Sequence, residues 1–360
     1  MKIGLMTEKN TKLKGGPKVF MSRLESELKN KELYSDVNFS KWINLSFREM
    51  PKEVLANQKI EKIVRFDGIW NDSVIPMFKY MPNIKNKMDL IFFKKMNKVI
   101  LDNYEKADKL IYQSKFSEYT IENLLFNRFG VENLKKESTI IYNGVDLKKF
   151  KPMLEERNKE NFPNILISHR LIPFKRANQS IKVVEKLKEK YPNLKVHVIG
   201  GGVKNPYHFY EDTKERFIRE VKQSGLEKFY EFYGHIDPNE LPKFYNKCDF
   251  MLNLSYADPC PNVVIEAIAC GLPVIAPNTG GIPELVKCKD LIVEENIKME
   301  EFQPRFIYKD IPMIDADKYV ERIAVILKKL DYYSNLMRNI AEENYDIEVV
   351  TEKYLEFIGV

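Results

Sequence analysis

Short apolar runs alternate with longer amphipathic segments along nearly the whole chain, the pattern of βαβ units building parallel sheets. In the first half, residues 3–6 read as a strand and Gly15-Gly16 leads into a helix near residues 19–28. Residues 62–66 and 110–113 read as further strands, and residues 140–142 as another, closed by Asn143-Gly144. Asn-Gly ordinarily marks a hairpin turn, but no alternating strand follows it. The polar stretch 148–163 comes instead, rich in Lys, Glu and Asn, and reads as an interdomain linker. The same grammar then restarts. Residues 164–168 form a strand, 177–191 a helix with apolar Ile181, Val184 and Leu187, and 195–199 a strand running into Gly200-Gly-Gly202. Strands at 229–234, 250–254 and 273–276 continue the sheet, and helices at 317–330 and 347–358 close the chain. The pattern predicts an α/β protein of two Rossmann-like domains facing across a cleft, with ligands at the C-terminal ends of the strands.

A length of 360 residues also favours two domains over one. Hydrophobic residues make up 44% and charged residues 31%, and no apolar run reaches the roughly 18 residues of a membrane span. The apolar stretch after Met1 is too short for a cleavable signal, so the expected location is the cytoplasm. Cys248, Cys260, Cys270 and Cys288 form no CxxC pair, which argues against a disulfide framework or a zinc site. The net charge of +6 is modest, and no basic face with interleaved aromatics marks a nucleic-acid binder.

The densest chemistry lies between Ser255 and Glu266. Asp258 and Glu266, with seven residues between them, flank a Pro-Cys-Pro-Asn turn that opens an apolar helix. Backbone N–H groups of Asn262 and Val263 at such a helix start favour an anion. The arrangement suits an activated sugar at one acid, a ribose at the other and a diphosphate between. The same string also reads as a capped core helix, with Asp258 and Asn262 as turn and cap residues. Arg170 ends a strand and Lys175 follows five residues later, giving a fork and a point charge for a diphosphate, or else a solvated loop. Gly15-Gly16 allows close backbone approach to a ligand, and Pro17 beside it is plain helix-start chemistry. Asp315-Ala-Asp317 has the form of a metal-binding D-x-D pair, but its place before a helix makes it a cap. Among the four histidines none has metal-ligand spacing; His197 reads as structural and His235 as a cleft residue. The aromatics of residues 207–210 after the glycine run read as a stacking loop for a sugar or base, or more simply as anchors of a loop to its own domain; Lys94, Lys95 and Lys98 beside Phe92 and Phe93 read as a contact for an anionic membrane surface, or more simply as a solvated helix face.

Taken in order, these strings resemble the retaining GT-B glycosyltransferases of the large family 4. Four blocks carry the resemblance: Gly15-Gly16; Ile140-Ile-Tyr-Asn-Gly-Val-Asp-Leu-Lys-Lys-Phe-Lys-Pro152; Arg170 with Lys175; and the acid pair running on to Gly280-Gly-Ile-Pro-Glu284. The resemblance implies a sugar transferred from a nucleotide-diphosphate donor to an acceptor hydroxyl, on a glycan or lipid-linked acceptor, without a cofactor or metal. It implies an acceptor-side domain at 1–155, a donor domain at 156–342, and a C-terminal helix at 343–360 packed back on the first. By the same resemblance Glu266 takes the ribose hydroxyls, Asp258 the donor sugar, and Ile236 faces the base. Arg170, Lys175, Gly16 and the amides of Asn262 and Val263 surround the diphosphate. Asp258 stands where the family usually has Glu, and Pro259-Cys260-Pro261 replaces a Gly/Phe-rich turn. No histidine near Asp67 matches the one many members place by the donor sugar, so Asp67 or Arg65 is the substitute expected on that wall. A sugar-nucleotide epimerase of the same architecture, or a subunit that binds nucleotide-sugar with impaired catalysis, stays open. The base, the sugar, the acceptor and the oligomeric state are not legible.

Overall fold

The computed structural model describes residues 1–6, 16–67, 98–123, 130–153, 161–202, 212–296 and 311–360. Gly15, the aromatics at 207–210, and Lys94, Lys95, Phe92 and Phe93 lie outside them. The chain divides into two compact units, Met1–Asp146 with Asn344–Val360, and Leu147–Glu343.

Among the described residues the first unit holds five parallel strands, β1 (Ile3–Leu5), β2 (Lys41–Leu45), β3 (Glu61–Phe66), β4 (Lys109–Tyr112) and β5 (Glu137–Ile140), ordered in space as in sequence. Its helices include α1 (Gly16–Asn30), α2 (Lys52–Ala56) and α3 (Lys115–Glu122). β2 escaped the sequence pattern because Asn44 interrupts its apolar run. That side chain is fully buried and satisfied locally, accepting from Trp42 Nε1 at 3.2 Å and donating to the carbonyls of Leu45 and Arg48 at 3.0 and 2.8 Å. β5 lies upstream of the expected 140–142. As the outer strand of the sheet it tolerates exposed Glu137 and Ser138, which carry no apolar signal. The apolar stripe of α1 (Phe20, Leu24, Leu28) packs against Val350, Tyr354 and Ile358 from the C-terminal helix 347–358. Each such buried side chain contributes about 1.5–3 kcal/mol, which fixes the terminal helix on this unit.

The second unit holds β6 (Asn164–Ser168), β7 (Lys195–Ile199), β8 (Tyr230–Gly234), β9 (Phe250–Leu252), β10 (Val274–Pro277) and β11 (Ile292–Val293). They form one parallel sheet in the order β11-β10-β9-β6-β7-β8. All five residues of β6 are buried, as a strand covered on both faces requires. Its helices are α4 (Ser180–Leu187), α5 (Thr213–Gln223), α6 (Leu241–Lys247), α7 (Asn262–Ala269), α8 (Ile282–Val286), α9 (Ala316–Ile326) and α10 (Leu330–Asn344), and α11 (Ile347–Ile358) is the terminal helix of the first unit. The strand order reverses at the β6/β9 pair, the place where open α/β sheets hold ligands outside the carboxyl ends of their strands. Two expectations change. The helix expected at 177–191 is shorter and preceded by 3₁₀ turns at Pro173–Lys175 and Ala177–Gln179. Residues 148–153 are not free linker: Phe150 is buried against Tyr245, Met153 N donates to Asn246 Oδ1 at 2.6 Å, and Asn246 Nδ2 donates to Lys151 O at 2.9 Å.

Candidate functional site

The loops leaving β6 and β9 meet at the reversal of strand order. After Ser168 the chain runs through His169 and exposed Arg170 into the 3₁₀ turn, whose entry residue Ile172 is extended, as the residue before a proline prefers. After Leu252, Asn253 Oδ1 accepts from Ser255 N at 3.0 Å and turns the second loop. Tyr256 N donates to Phe174 O at 2.8 Å, joining the loops backbone to backbone. Beside that bond the Lys175 ammonium donates to the Asp258 carboxylate. Lys175 is buried, and burial first, then the Arg170 charge, pulls its ammonium below its ordinary pKa. The two residues expected to hold a diphosphate and a sugar are thus each other's partner here.

α7 starts beside this pair. Its N-cap residue is Pro261, which supplies no capping side chain, and Asn262 is the first helical residue. No side chain makes a capping hydrogen bond at Pro261. The carbonyl of Pro261 takes Val264 N and Ile265 N at 3.1 and 3.3 Å, and no acidic residue occupies the first turn. Glu266, one turn on, is buried and accepts from the Tyr245 hydroxyl at 3.0 Å through Oε2. Burial and then Glu266 raise the Tyr245 hydroxyl well above its ordinary pKa, so it stays a donor.

The Gly280-Gly281 turn closes the site from behind. Gly281 N donates to Asp258 O at 2.9 Å. Gly280 has φ +68°, and a Cβ there would lie 2.9 Å from Asp258 O and 3.0 Å from Asp258 N. Only glycine permits that approach.

Several strand-end polar atoms at this edge have no hydrogen-bond partner among the described residues. Among the described residues His169 Nε2, Asn253 Nδ2, Ser255 Oγ and Thr279 Oγ1 are buried without one. His169 Nδ1–H donates to Arg170 O at 3.1 Å, which leaves Nε2 as a lone-pair acceptor; burial, then the Lys175 charge, brings this imidazole down to about 3, so it is neutral. Buried polar atoms are nearly always paired, and four orphans at the ends of β6, β9 and β10 suit a polar ligand.

Gly16 begins α1 in the first unit, and Ile236 follows β8, half-buried, beside exposed His235. Arg65 and Asp67 pair with each other, and Arg65 lies fully buried over the Phe20 ring, 4.3 Å from its centroid, with Nη2 donating to Gln113 Oε1 at 3.4 Å. Asp315 caps α9 by accepting from Asp317 N at 3.1 Å. His197 is buried between Tyr233 and Asn164, each at 3.1 Å. Among the described residues no group of three His, Cys, Asp or Glu could hold a metal ion, and no helix is long and apolar enough to cross a membrane. Sequence reasoning missed Arg176 and Glu295, a buried pair directly behind Lys175. In the sequence Lys175-Arg176 looks like two surface cations, and nothing there signals burial.

Two parallel α/β sheets with covering helices, the second reversing its strand order at the site, define a GT-B protein. Solved structures carry the same fold: HepE of Anabaena in complex with UDP aligns over 100% of both chains with a TM-score of 0.68 and 14% identity. WaaG, a glycosyltransferase involved in lipopolysaccharide biosynthesis, aligns over 99% of both with a TM-score of 0.65 and 12% identity. The family model "Glycosyl transferases group 1" matches residues 150–308, within the second unit of this chain. Among curated relatives, the glycogen synthase of Mycobacterium tuberculosis is 27% identical over 150 residues, 42% of this chain and 34% of its own. The spore coat protein SA of Bacillus subtilis is 24% identical over 239 residues, 61% of this chain and 58% of its own. The chain thus spans between a third and three-fifths of the length of these relatives.

Proposed function

We propose that this protein is a retaining glycosyltransferase that moves a sugar from a nucleotide-diphosphate donor to a hydroxyl of a glycan or lipid-linked acceptor. The observation carrying this reading is the Lys175–Asp258 pair at the strand-order reversal, beside a helix start without a capping side chain. As the bond between the sugar and the diphosphate breaks, negative charge grows on the leaving group. The acceptor oxygen takes its place on the sugar, and the acceptor proton departs with the diphosphate. Fixed donors aimed at that charge lower the barrier. Lys175, Arg170 and the first amides of α7 supply positive charge and N–H groups for this, so the reading requires no metal. The diphosphate takes Lys175 over from Asp258, which frees the carboxylate to accept from sugar hydroxyls. Glu266, held by Tyr245, is the acceptor proposed for the ribose, and the backbone at Ile236 the wall for the base.

UDP is the first nucleotide to test, since HepE binds it. UDP- and GDP-sugars are expected to raise the melting temperature in proportion to the logarithm of concentration over Kd. Arg170→Ala, which removes an exposed fork, is expected to cost roughly tenfold or more in donor turnover without lowering the melting temperature of the free protein. No shift with any nucleotide-sugar, or full turnover by Arg170→Ala, would sink the reading. An isomerised donor appearing without an acceptor would reassign the chain to an epimerase.

A pH effect follows from Lys175. Its ammonium lies below the ordinary lysine value, and a bound diphosphate raises it again. Between those two values binding takes up protons, so donor affinity falls as the pH rises through that window. Titration calorimetry in two buffers of different ionisation heat measures the uptake; equal apparent heats throughout the alkaline range would contradict it.

A further inference from the structure

We infer that Arg176 is the positioning residue of this site: its buried guanidinium sets the spacing between the loop carrying Lys175 and the loop carrying Asp258. Four observations converge on it. Arg176 is fully buried. Its backbone is left-handed, φ +53° and ψ +25°, a conformation that side chains beyond glycine disfavour. Its Nε donates to Leu254 O at 2.6 Å, at the root of the loop that bears Asp258. Its Nη1 and Nη2 grip the Glu295 carboxylate at 2.9 and 3.0 Å, and Nη1 also reaches Pro312 O at 3.2 Å.

Glu295 is itself fixed. The Tyr319 hydroxyl of α9 donates to Oε1 at 2.7 Å, and Glu295 N donates to Asn278 Oδ1 at 2.9 Å after β10. One side chain therefore ties together the exits of β6, β9 and β11 and the approach to α9. Arginine is the residue for this task, because Nε and the two Nη atoms donate in different directions from one rigid plane, whereas a lysine ammonium cannot span them. Core packing does not require such a pair, since well-packed apolar side chains often replace buried ion pairs without loss of stability. What the pair supplies is geometry: Lys175 is its immediate neighbour, and Leu254 stands four residues before Asp258.

The inference deepens the proposed function, and part of its test is independent of that reading. Arg176→Gly relieves the left-handed backbone and removes the fork; Arg176→Lys keeps a charge without the fork. The first readout needs no ligand: brief acetic anhydride labelling followed by peptide mass spectrometry. Lys175 acetylation is expected to rise at least fivefold in both variants, with the exposed Lys243 as internal standard. The second readout is the ratio of UDP to UMP affinity. UDP affinity is expected to fall at least tenfold, and UMP affinity less than threefold, because the terminal phosphate is what Lys175 holds. Circular dichroism establishes that the variants are folded. If Arg176→Gly does not fold, Glu295→Gln, which loosens the grip while keeping the shape, is read by the same two measurements. Unchanged Lys175 labelling in a folded variant overturns the inference, as does an equal loss of UDP and UMP binding. If the natural protein binds neither UDP nor GDP, the function reading falls, and the labelling result alone decides on Arg176.

Discussion

Lys175→Ala is expected to lower donor turnover by about two to three orders of magnitude, the usual cost of deleting one preorganised donor to a developing negative charge. The loss should fall mainly on kcat. In the proposed ground state Arg170 and the start of α7 also face the diphosphate, whereas the buried ammonium gains most as the leaving group charges. Its lowered pKa records how poorly water solvates it, and a poorly solvated cation interacts more strongly with a nearby anion. Lys175→Arg should not restore activity. The ammonium sits in a turn where Lys175 N bonds Ile172 O at 3.0 Å and the side chain is nearly buried, so the larger planar fork must displace Asp258 or Phe174. Steady-state kinetics of transfer, with UDP binding measured in parallel, check this. A variant that keeps kcat within threefold would remove Lys175 from the chemistry.

The residues that mark the candidate site in the sequence share one property: their chemistry survives there as spacing. Asp258 and Glu266 lie on either side of a helix start whichever way the helix packs, and the apolar run at 164–168 can hardly be other than a covered strand. The terminal helix 347–358 is bounded locally: Asp346 caps it by accepting from Glu348 N, and Gly359 ends it at φ +71°. What stayed hidden depends on the third dimension. Asn44 is polar, yet buried in β2, because two carbonyls reach it. Arg176 looks like solvent-facing charge until Glu295, 119 residues away, closes on it. The pairing of Lys175 with Asp258 was equally out of reach, because two ligand-binding roles read separately do not reveal that each residue satisfies the other.

Gly200→Ala should be the most damaging small substitution in the second unit. Gly200 ends β7 with φ +130°, a conformation that side chains rarely adopt, and its N donates to Gly234 O at 2.7 Å. A Cβ there would fall 2.0 Å from His169 O, and that contact is backbone, so no side chain can swing aside. His169 is held in turn by its own N–H, which bonds Ile199 O at 3.1 Å. Relief therefore requires moving the strand exit that leads to Arg170 and Lys175. Backbone strain and overpacking together are expected to cost roughly 2–5 kcal/mol. In a unit of about 200 residues that is a fall in melting temperature of roughly 5–15 °C. The structural damage and the functional damage share one origin, so donor affinity should drop even at temperatures where the variant is fully folded. Calorimetry and a UDP titration on the same sample measure both. A normal melting temperature would mean that β7 and the His169 loop are not packed against one another at Gly200.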